Sequence, residues 1–513
     1  MNGAESLVHT LLASGVDTCF ANPGTSEMHF VAALDRIPGM RCILGLQENI
    51  VTGMADGYYR MAGKPAATLL HCAPGLANGL ANLHNARRAR SGIVNVVGDH
   101  ATYHRQYDAP LTGDTEGFAR GVSAWVRTAT SAQRVAGDAA QAVQAARTAP
   151  GQVATLILPA DTAWNEAEGP AAALPVPATP VPDPMRLRDI ARVLREKKNV
   201  LILLGGRALR KDAQLAAWNI AQATGAKILA EVSNGRIERG QGCVPLERVP
   251  YPADAAIKTL APFEHIILVN SRGPVGFFAY PGKPSLHYPE TAQLHPLARY
   301  EEDGLAALLG LAQELGAPQA PLPDRAPRPE IARGAPTPEG LARTVAAVMP
   351  DGAIIADESV SFGRGFFAET HAAPMHDWIQ ITGGAIGCGM PMATGAAVGA
   401  GGDRRVINLQ ADGSGMYTLQ SLWTQARENL PVTTVILSNR KYAILLGEYQ
   451  GVGANPGRTA MDMMDLGNPN LDWVSLARGM GVEGAVATTL EQCGDLMAQS
   501  FAREGPFLIE LVI

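Results

Sequence analysis

Between positions 406 and 437 the chain runs apolar strand, helix, apolar strand, and this unit constrains the fold more than any other stretch. Val406-Ile407-Asn408-Leu409 and Val432-Thr433-Thr434-Val435-Ile436-Leu437 are short apolar runs rich in β-branched residues. The segment Thr418 to Asn429 between them places Leu419, Leu422, Trp423 and Ala426 at helical spacing. Two strands joined by a crossover helix lie parallel in one sheet. The residues that follow each strand then emerge on the same sheet edge, where open α/β sheets bind ligands. Those residues are Asp412 in Ala411-Asp412-Gly413-Ser414 and Asn439 in Leu437-Ser438-Asn439-Arg440. A carboxylate and an amide oxygen beside a Gly-Ser-Gly turn and a helix N-terminus suit a hard divalent cation holding a diphosphate.

The same alternation continues along the chain. Thr18–Ala21, Cys42–Gly45, Ala67–Leu70, Ile93–Val97 and Ala154–Leu158 are strand candidates early on. Val200–Leu204, Lys227–Leu229 and Ile266–Val269 follow, then Ala353–Ile355 and Phe507–Val512. Two proline-rich stretches, Gly169 to Pro184 and Ala317 to Glu339, read as semi-rigid linkers. The expected architecture is α/β: three parallel-sheet domains at 1–168, 183–316 and 337–513. The first and last have similar layouts, as internal duplication leaves.

A formal net charge of -6 with dispersed Lys and Arg favours neither nucleic acid nor an anionic membrane. No apolar run approaches the roughly 20 residues that a bilayer helix needs. Met1-Asn2-Gly3-Ala4-Glu5 lacks a basic n-region followed by an apolar core, so a cytoplasmic location is expected. Cys19, Cys42, Cys72, Cys243, Cys388 and Cys493 form no CxxC pair and read as small buried fillers in a reducing compartment.

Three further sites follow strands in the first segment. Glu48 stands where the strand Cys42 to Leu46 ends and a helix, Glu48 to Met61, begins; alone it is a carboxylate favoured by the helix dipole. Asn22-Pro23-Gly24-Thr25-Ser26-Glu27 opens another helix, and alone is a turn. His71 in His71-Cys72-Ala73-Pro74-Gly75 is, alone, a structural histidine.

Taken together with Asp412 and Asn439, these motifs closely resemble the thiamin-diphosphate-dependent enzymes that include benzoylformate decarboxylase, pyruvate decarboxylase and acetolactate synthase. The resemblance covers essentially the full length and is nearest the benzoylformate decarboxylase and acetolactate synthase-like branch. Ala411 replaces the first glycine of that family's Gly-Asp-Gly metal motif. The resemblance implies thiamin diphosphate and Mg²⁺ as cofactors, with Asp412, Asn439 and the backbone carbonyl of Lys441 as metal ligands. It assigns Gly413, Ser414 and Ser361 to the diphosphate, the Gly384 carbonyl to the pyrimidine amino group, and Ile386 to the wedge that bends the cofactor. Glu48 would hydrogen-bond N1′ of the pyrimidine, a proton-trading role that a neutral amide cannot fill. Glu48 and Asp412 belong to different domains, and in relatives they meet across a subunit interface. A homodimer or homotetramer is therefore implied.

The substrate side is less uniform. His71 matches a proton-transfer histidine of benzoylformate decarboxylase, and Thr25 matches its serine that contacts the substrate carboxylate. That enzyme's middle-domain histidine falls at Ala279. The paired histidines of pyruvate decarboxylase, and the Phe-Gln pair of acetolactate synthase, fall at Pro110 and Leu111. His100 and His104 lie close by and either substitute for them or brace a loop. Leu203-Leu204-Gly205-Gly206-Arg207 is a weak nucleotide signal in the middle domain. Glu448, where relatives carry an aromatic residue, either faces the substrate or lies in solvent. The chain stops at Ile513 directly after its last strand, which implies a more open pocket than in relatives with a covering tail. The expected activity is non-oxidative decarboxylation of a 2-oxo acid, with or without carboligation; the alternative is an acetolactate synthase-like carboligase.

Overall fold

The computed structural model describes residues 1–324 and 326–513, and among them three sheets organise the chain. The first is six-stranded and parallel, in the order Arg41–Leu44, Thr18–Ala21, Ala66–Leu70, Ile93–Asp99, Val153–Pro159, Trp125–Thr128. The second is four-stranded and parallel: Gln293–Ala298, His265–Val269, Val200–Leu204, Lys227–Ala230. The third is seven-stranded: Glu483–Ala487, Phe507–Val512, Val432–Ser438, Val406–Ala411, Ile354–Glu358, His376–Gln380, Ile237–Arg239. Ile93–Asp99 and Val432–Ser438 are buried at every residue, as strands covered by helices on both faces must be.

Two local expectations change. The crossover helix is shorter than its spacing predicts, Ser421–Arg427 rather than Thr418–Asn429. Thr418 is drawn out of it because its hydroxyl donates to the Gly387 carbonyl at 3.0 Å. The edge strand of the third sheet, Ile237–Arg239, comes from the middle segment and pairs antiparallel with His376–Trp378. It is pinned there by Arg239, whose buried guanidinium lies 3.5 Å over the Phe367 ring and donates to Thr370. The described residues of the two proline-rich stretches form no strand or helix before Pro184–Glu196 and Pro338–Val348 begin; Arg325 in the second stretch lies outside the described residues.

The first and third sheets are brought together by two helices, Glu48–Ala62 and Gly389–Gly399. Their backbones touch: a Cβ at Gly57 would strike the Met392 carbonyl, and one at Gly395 the Met54 carbonyl. Arg60 locks this contact. It pairs with Asp56 at 2.6 Å and donates to the Gln380 carbonyl at 2.7 Å, all buried. Replacing Arg60 by Ala strands the Asp56 charge, and about 3–5 kcal/mol of stability is expected to go with it. A thermal melt within a degree or two of the parent, an allowance well under the ~2–4 °C per kcal/mol typical of larger domains, would show that the strap is not holding the interface.

Candidate active site

Because the strands of the third sheet are parallel up to His376–Gln380, their carboxyl ends share one edge, and the expected ligand residues all lie just beyond it. Ala411 pairs with Leu437, so Asp412 and Asn439 emerge side by side. Ser361 follows Ile354–Glu358, and the loop Gly383–Cys388 follows His376–Gln380. In the first sheet Thr25, Glu48, His71 and His100 likewise follow the carboxyl ends of parallel strands.

Asp412 is buried and accepts the backbone N–H of Gly413 at 2.8 Å and of Arg440 at 2.6 Å. It has no cationic side-chain partner among the described residues. Burial pushes its carboxyl above the usual range, and those backbone donors only partly offset this. A desolvated carboxylate held by backbone alone fits a cation ligand. Asn439 Oδ1 accepts from Lys441 N at 3.0 Å, which orients the amide and leaves the oxygen a lone pair. The helical turn Asp412–Gly415 stacks against Tyr442, whose ring lies 2.5 Å from where a Gly413 Cβ would stand. Ser414 is tied by Gln410 at 2.7 Å. Ser361 lines a different recess of about 230 Å³ with Tyr280, Lys283 and Glu448.

Gly384 and Gly387 adopt φ of +79° and +91°, a region that favours glycine. Phe277 packs so closely on Gly384 that no Cβ fits. The loop is held from two sides. Glu358, fully buried, accepts from the N–H groups of Gly387 at 2.7 Å and Gly389 at 2.7 Å, and from Gln410 at 2.9 Å. From the first domain, Asn85 donates to the Ala385 carbonyl at 2.7 Å, and His84 Nε2 lies 3.1 Å from the Gly383 carbonyl. Glu358 and Asn85 escaped the sequence reading. An Asn-x-x-Asn pair (Asn82, Asn85) on one helix face was the available signal for the second.

Glu48 begins its helix nearly buried, with Oε2 accepting from the Asn78 amide at 3.1 Å. A Cβ at Gly75 would lie 2.9 Å from Glu48 Oε1 and 3.3 Å from His71 Cβ. That glycine, in the first turn of Cys72–Ala89, lets the two side chains converge. His71 Nδ1 lies 2.8 Å from Oε2 of the buried Glu27. Glu27 is fixed in turn by Gly24 N at 2.9 Å and the Ser26 hydroxyl at 2.6 Å. Sequence reading passed over Glu27. Its place three residues after Gly24, in the position of a capping box, was the signal.

Thr25 is exposed and, with Ser26, His71, His100, His104 and Leu111, lines a cavity of about 280 Å³. Pro110 is exposed beside it. The His100 and His104 rings meet at a tilt of 55°, with centroids 5.5 Å apart. Glu448 neither floats in solvent nor stands free: its Oε2 accepts from Tyr280 OH at 2.8 Å, which ties Ala443–Val452 to the middle domain. Ala279 is exposed in the loop between Phe277 and Tyr280. No hydrogen bond among the described residues joins the Glu48–His71 cluster to Asp412 or Asn439 of the same chain. At Gly205-Gly206 the Gly206 N–H donates to Glu231 at 3.1 Å, and desolvation pushes that carboxyl up to about 7. A carboxyl side chain therefore occupies the place where a nucleotide phosphate would be sought.

Comparison with known proteins agrees with this geometry. Residues 1–121 match the thiamine pyrophosphate enzyme N-terminal TPP binding domain, and 365–511 match its C-terminal TPP binding domain. A Mycobacterium tuberculosis protein provisionally named an acetolactate synthase large subunit is 49% identical over 100% of this chain and 99% of its own length. Benzoylformate decarboxylase of Pseudomonas aeruginosa is 29% identical over 97% of this chain and 96% of its own. The structure of a Rhodococcus jostii thiamine diphosphate-dependent 4-hydroxybenzoylformate decarboxylase superposes with a TM-score of 0.87 at 26% identity, covering 100% and 99% of the two chains. No described helix is long and apolar enough to cross a membrane.

Proposed function

The chain belongs to the thiamine pyrophosphate enzyme family, and we propose that its reaction is the Mg²⁺-dependent, non-oxidative decarboxylation of a 2-oxo acid to an aldehyde. Thiamin diphosphate, when bound, supplies the carbon nucleophile and the sink for the electrons released with CO₂. Everything else falls to the chain's own residues. Asp412, Asn439 and the Lys441 carbonyl would hold Mg²⁺, and Gly413, Ser414 and Ser361 the diphosphate. Gly384 and Ile386 would set the cofactor's bend, and Glu48 would take and return a proton at the pyrimidine nitrogen. In this reading 1–168 is the pyrimidine domain, 337–513 the diphosphate domain and 183–316 the bridge. No hydrogen bond among the described residues joins the Glu48 cluster to Asp412, which suits a homodimer or homotetramer with the site shared between chains, and the chain is read as cytoplasmic.

The observation that favours aldehyde release is the Glu27–His71 pair. A buried carboxylate against Nδ1 holds the ring in one orientation and leaves Nε2 free for a proton at the reacting carbon. Thr25 lines the same cavity and would meet the substrate carboxylate. Glu27→Gln keeps the volume and removes the charge behind the histidine. It is expected to lower kcat about 10- to 100-fold, part of the 10²–10⁴ that a positioned acid–base group contributes. Thiamin diphosphate affinity and the thermal midpoint should stay put while kcat falls. A loss of cofactor binding in step with kcat would make Glu27 merely structural. Acetolactate formation remains the second reading, favoured by the 49% identical relative, and products separate the two.

A further inference from the structure

Cys72 has no part in the chemistry above, yet it completes a cluster with three different kinds of ligand atom. Glu27, His71 and Cys72 each bring one such atom within 4.8 Å of the others. Cys72 Sγ lies 3.8 Å from His71 Nδ1 and 3.9 Å from Glu27 Oε1. Ser26 Oγ faces all three, at 2.6 Å from Glu27, 3.0 Å from Cys72 and 3.5 Å from His71. Each of the four groups thus has a donor atom within 4 Å of one on each of the others. A tetrahedral zinc ion with ordinary bond lengths wants its ligand atoms roughly 3.4–3.7 Å apart, so small side-chain shifts suffice. The second-layer support is already built: Gly24 N fixes Glu27, and the tight Gly98 backbone leaves room for its carboxylate. Glu27 and Cys72 are almost wholly buried, while His71 opens onto the 280 Å³ cavity through which an ion enters.

We propose that Glu27, His71 and Cys72 form a binding site for a thiophilic divalent cation such as Zn²⁺, and that its occupation shuts the enzyme off. On coordination the Cys72 thiol gives its proton to solvent and binds as thiolate. His71 binds through Nδ1, and its remaining proton moves to Nε2. The imidazole can then no longer accept a proton on the side facing the cavity, and the Glu27 carboxylate is diverted from it. A mixed sulfur, nitrogen and oxygen set selects Zn²⁺ or Co²⁺ over Mg²⁺, which prefers six oxygens. The Asp412 site keeps its hard cation throughout.

The inhibitory half rests on the proton-transfer reading of His71; the binding half does not. The test uses the holoenzyme with thiamin diphosphate and excess Mg²⁺, titrated with Co²⁺ and followed by absorption. A saturable thiolate-to-cobalt charge-transfer band with a four-coordinate visible spectrum is expected at one ion per chain. Cys72→Ser should abolish the band and weaken Zn²⁺, measured by displacement of Co²⁺, on the order of 100-fold or more, since losing a mere supporting residue already costs 10–100-fold. Cys72→Ala serves as a second variant, with melting curves confirming the fold of each. Absence of the band in the parent protein, or its survival in both variants, overturns the site. If the band forms and turnover persists at full occupancy, the binding site stands and the inhibitory claim falls with the role given to His71.

Discussion

Replacing Glu48 by Gln is expected to cut kcat by about 10²–10⁴-fold, the range that one positioned acid–base group supplies. The substitution is nearly isosteric. The amide oxygen can still accept from Asn78, and the packing against Gly75 is unchanged. What disappears is the ability to hold and return a proton, the role proposed for Glu48 at the cofactor's pyrimidine nitrogen. The residues proposed to hold the metal and diphosphate lie on the other sheet, so Mg²⁺-dependent affinity for thiamin diphosphate should stay within a few-fold of the parent. Steady-state kinetics and calorimetric titration of the cofactor separate these outcomes. An undiminished rate would remove Glu48 from the mechanism, and a lost affinity would make it a binding residue only.

Asp412→Asn acts on the opposite half. The amide keeps one oxygen for the backbone N–H of Gly413 or Arg440 but carries no charge. Stripping a buried charge from its counter-ion costs about 3 kcal/mol or more, roughly 100-fold in affinity. Thiamin diphosphate binding in the presence of Mg²⁺ should weaken by that factor, and excess metal should rescue it partly. The metal-free protein has reason to tolerate the change, because burial already pushes the Asp412 carboxyl up and makes its ionisation costly. Set against the one backbone N–H left without an acceptor, this gain should leave the melting point without Mg²⁺ little changed. Unchanged metal-dependent affinity would move the cation elsewhere.

Much of this was legible in the residues because central parallel strands are continuous apolar runs, and such runs announce themselves. Val200–Leu204 and Ile93–Asp99 are examples. The strands that escaped are those whose burial depends on distant partners. Trp125–Thr128, Gln293–Ala298 and Glu483–Ala487 are sheet edges with half-exposed side chains. His376–Gln380 is wholly buried yet reads as polar, because Asp377 is neutralised by Arg236 at 2.5 Å and Arg404 at 2.7 Å. The site divides the same way. Asp412, Asn439, Glu48 and His71 follow strands directly, so local pattern locates them. Glu27, Glu358 and Asn85 act through residues 29 to 300 positions away, and no local spacing encodes those partners. Glu448 shows the same limit: its partner, Tyr280, lies 168 positions earlier.

In the proposed reaction a 2-oxo acid leaves this site as aldehyde and CO₂. The most direct measurement is product analysis of the purified protein with thiamin diphosphate and Mg²⁺, offered pyruvate and a panel of aliphatic and aromatic 2-oxo acids. One aldehyde per CO₂ is expected for at least one member of the panel, with both products lost when either cofactor is withheld. Acetolactate from pyruvate with no free aldehyde from any substrate would contradict it and establish the carboligase.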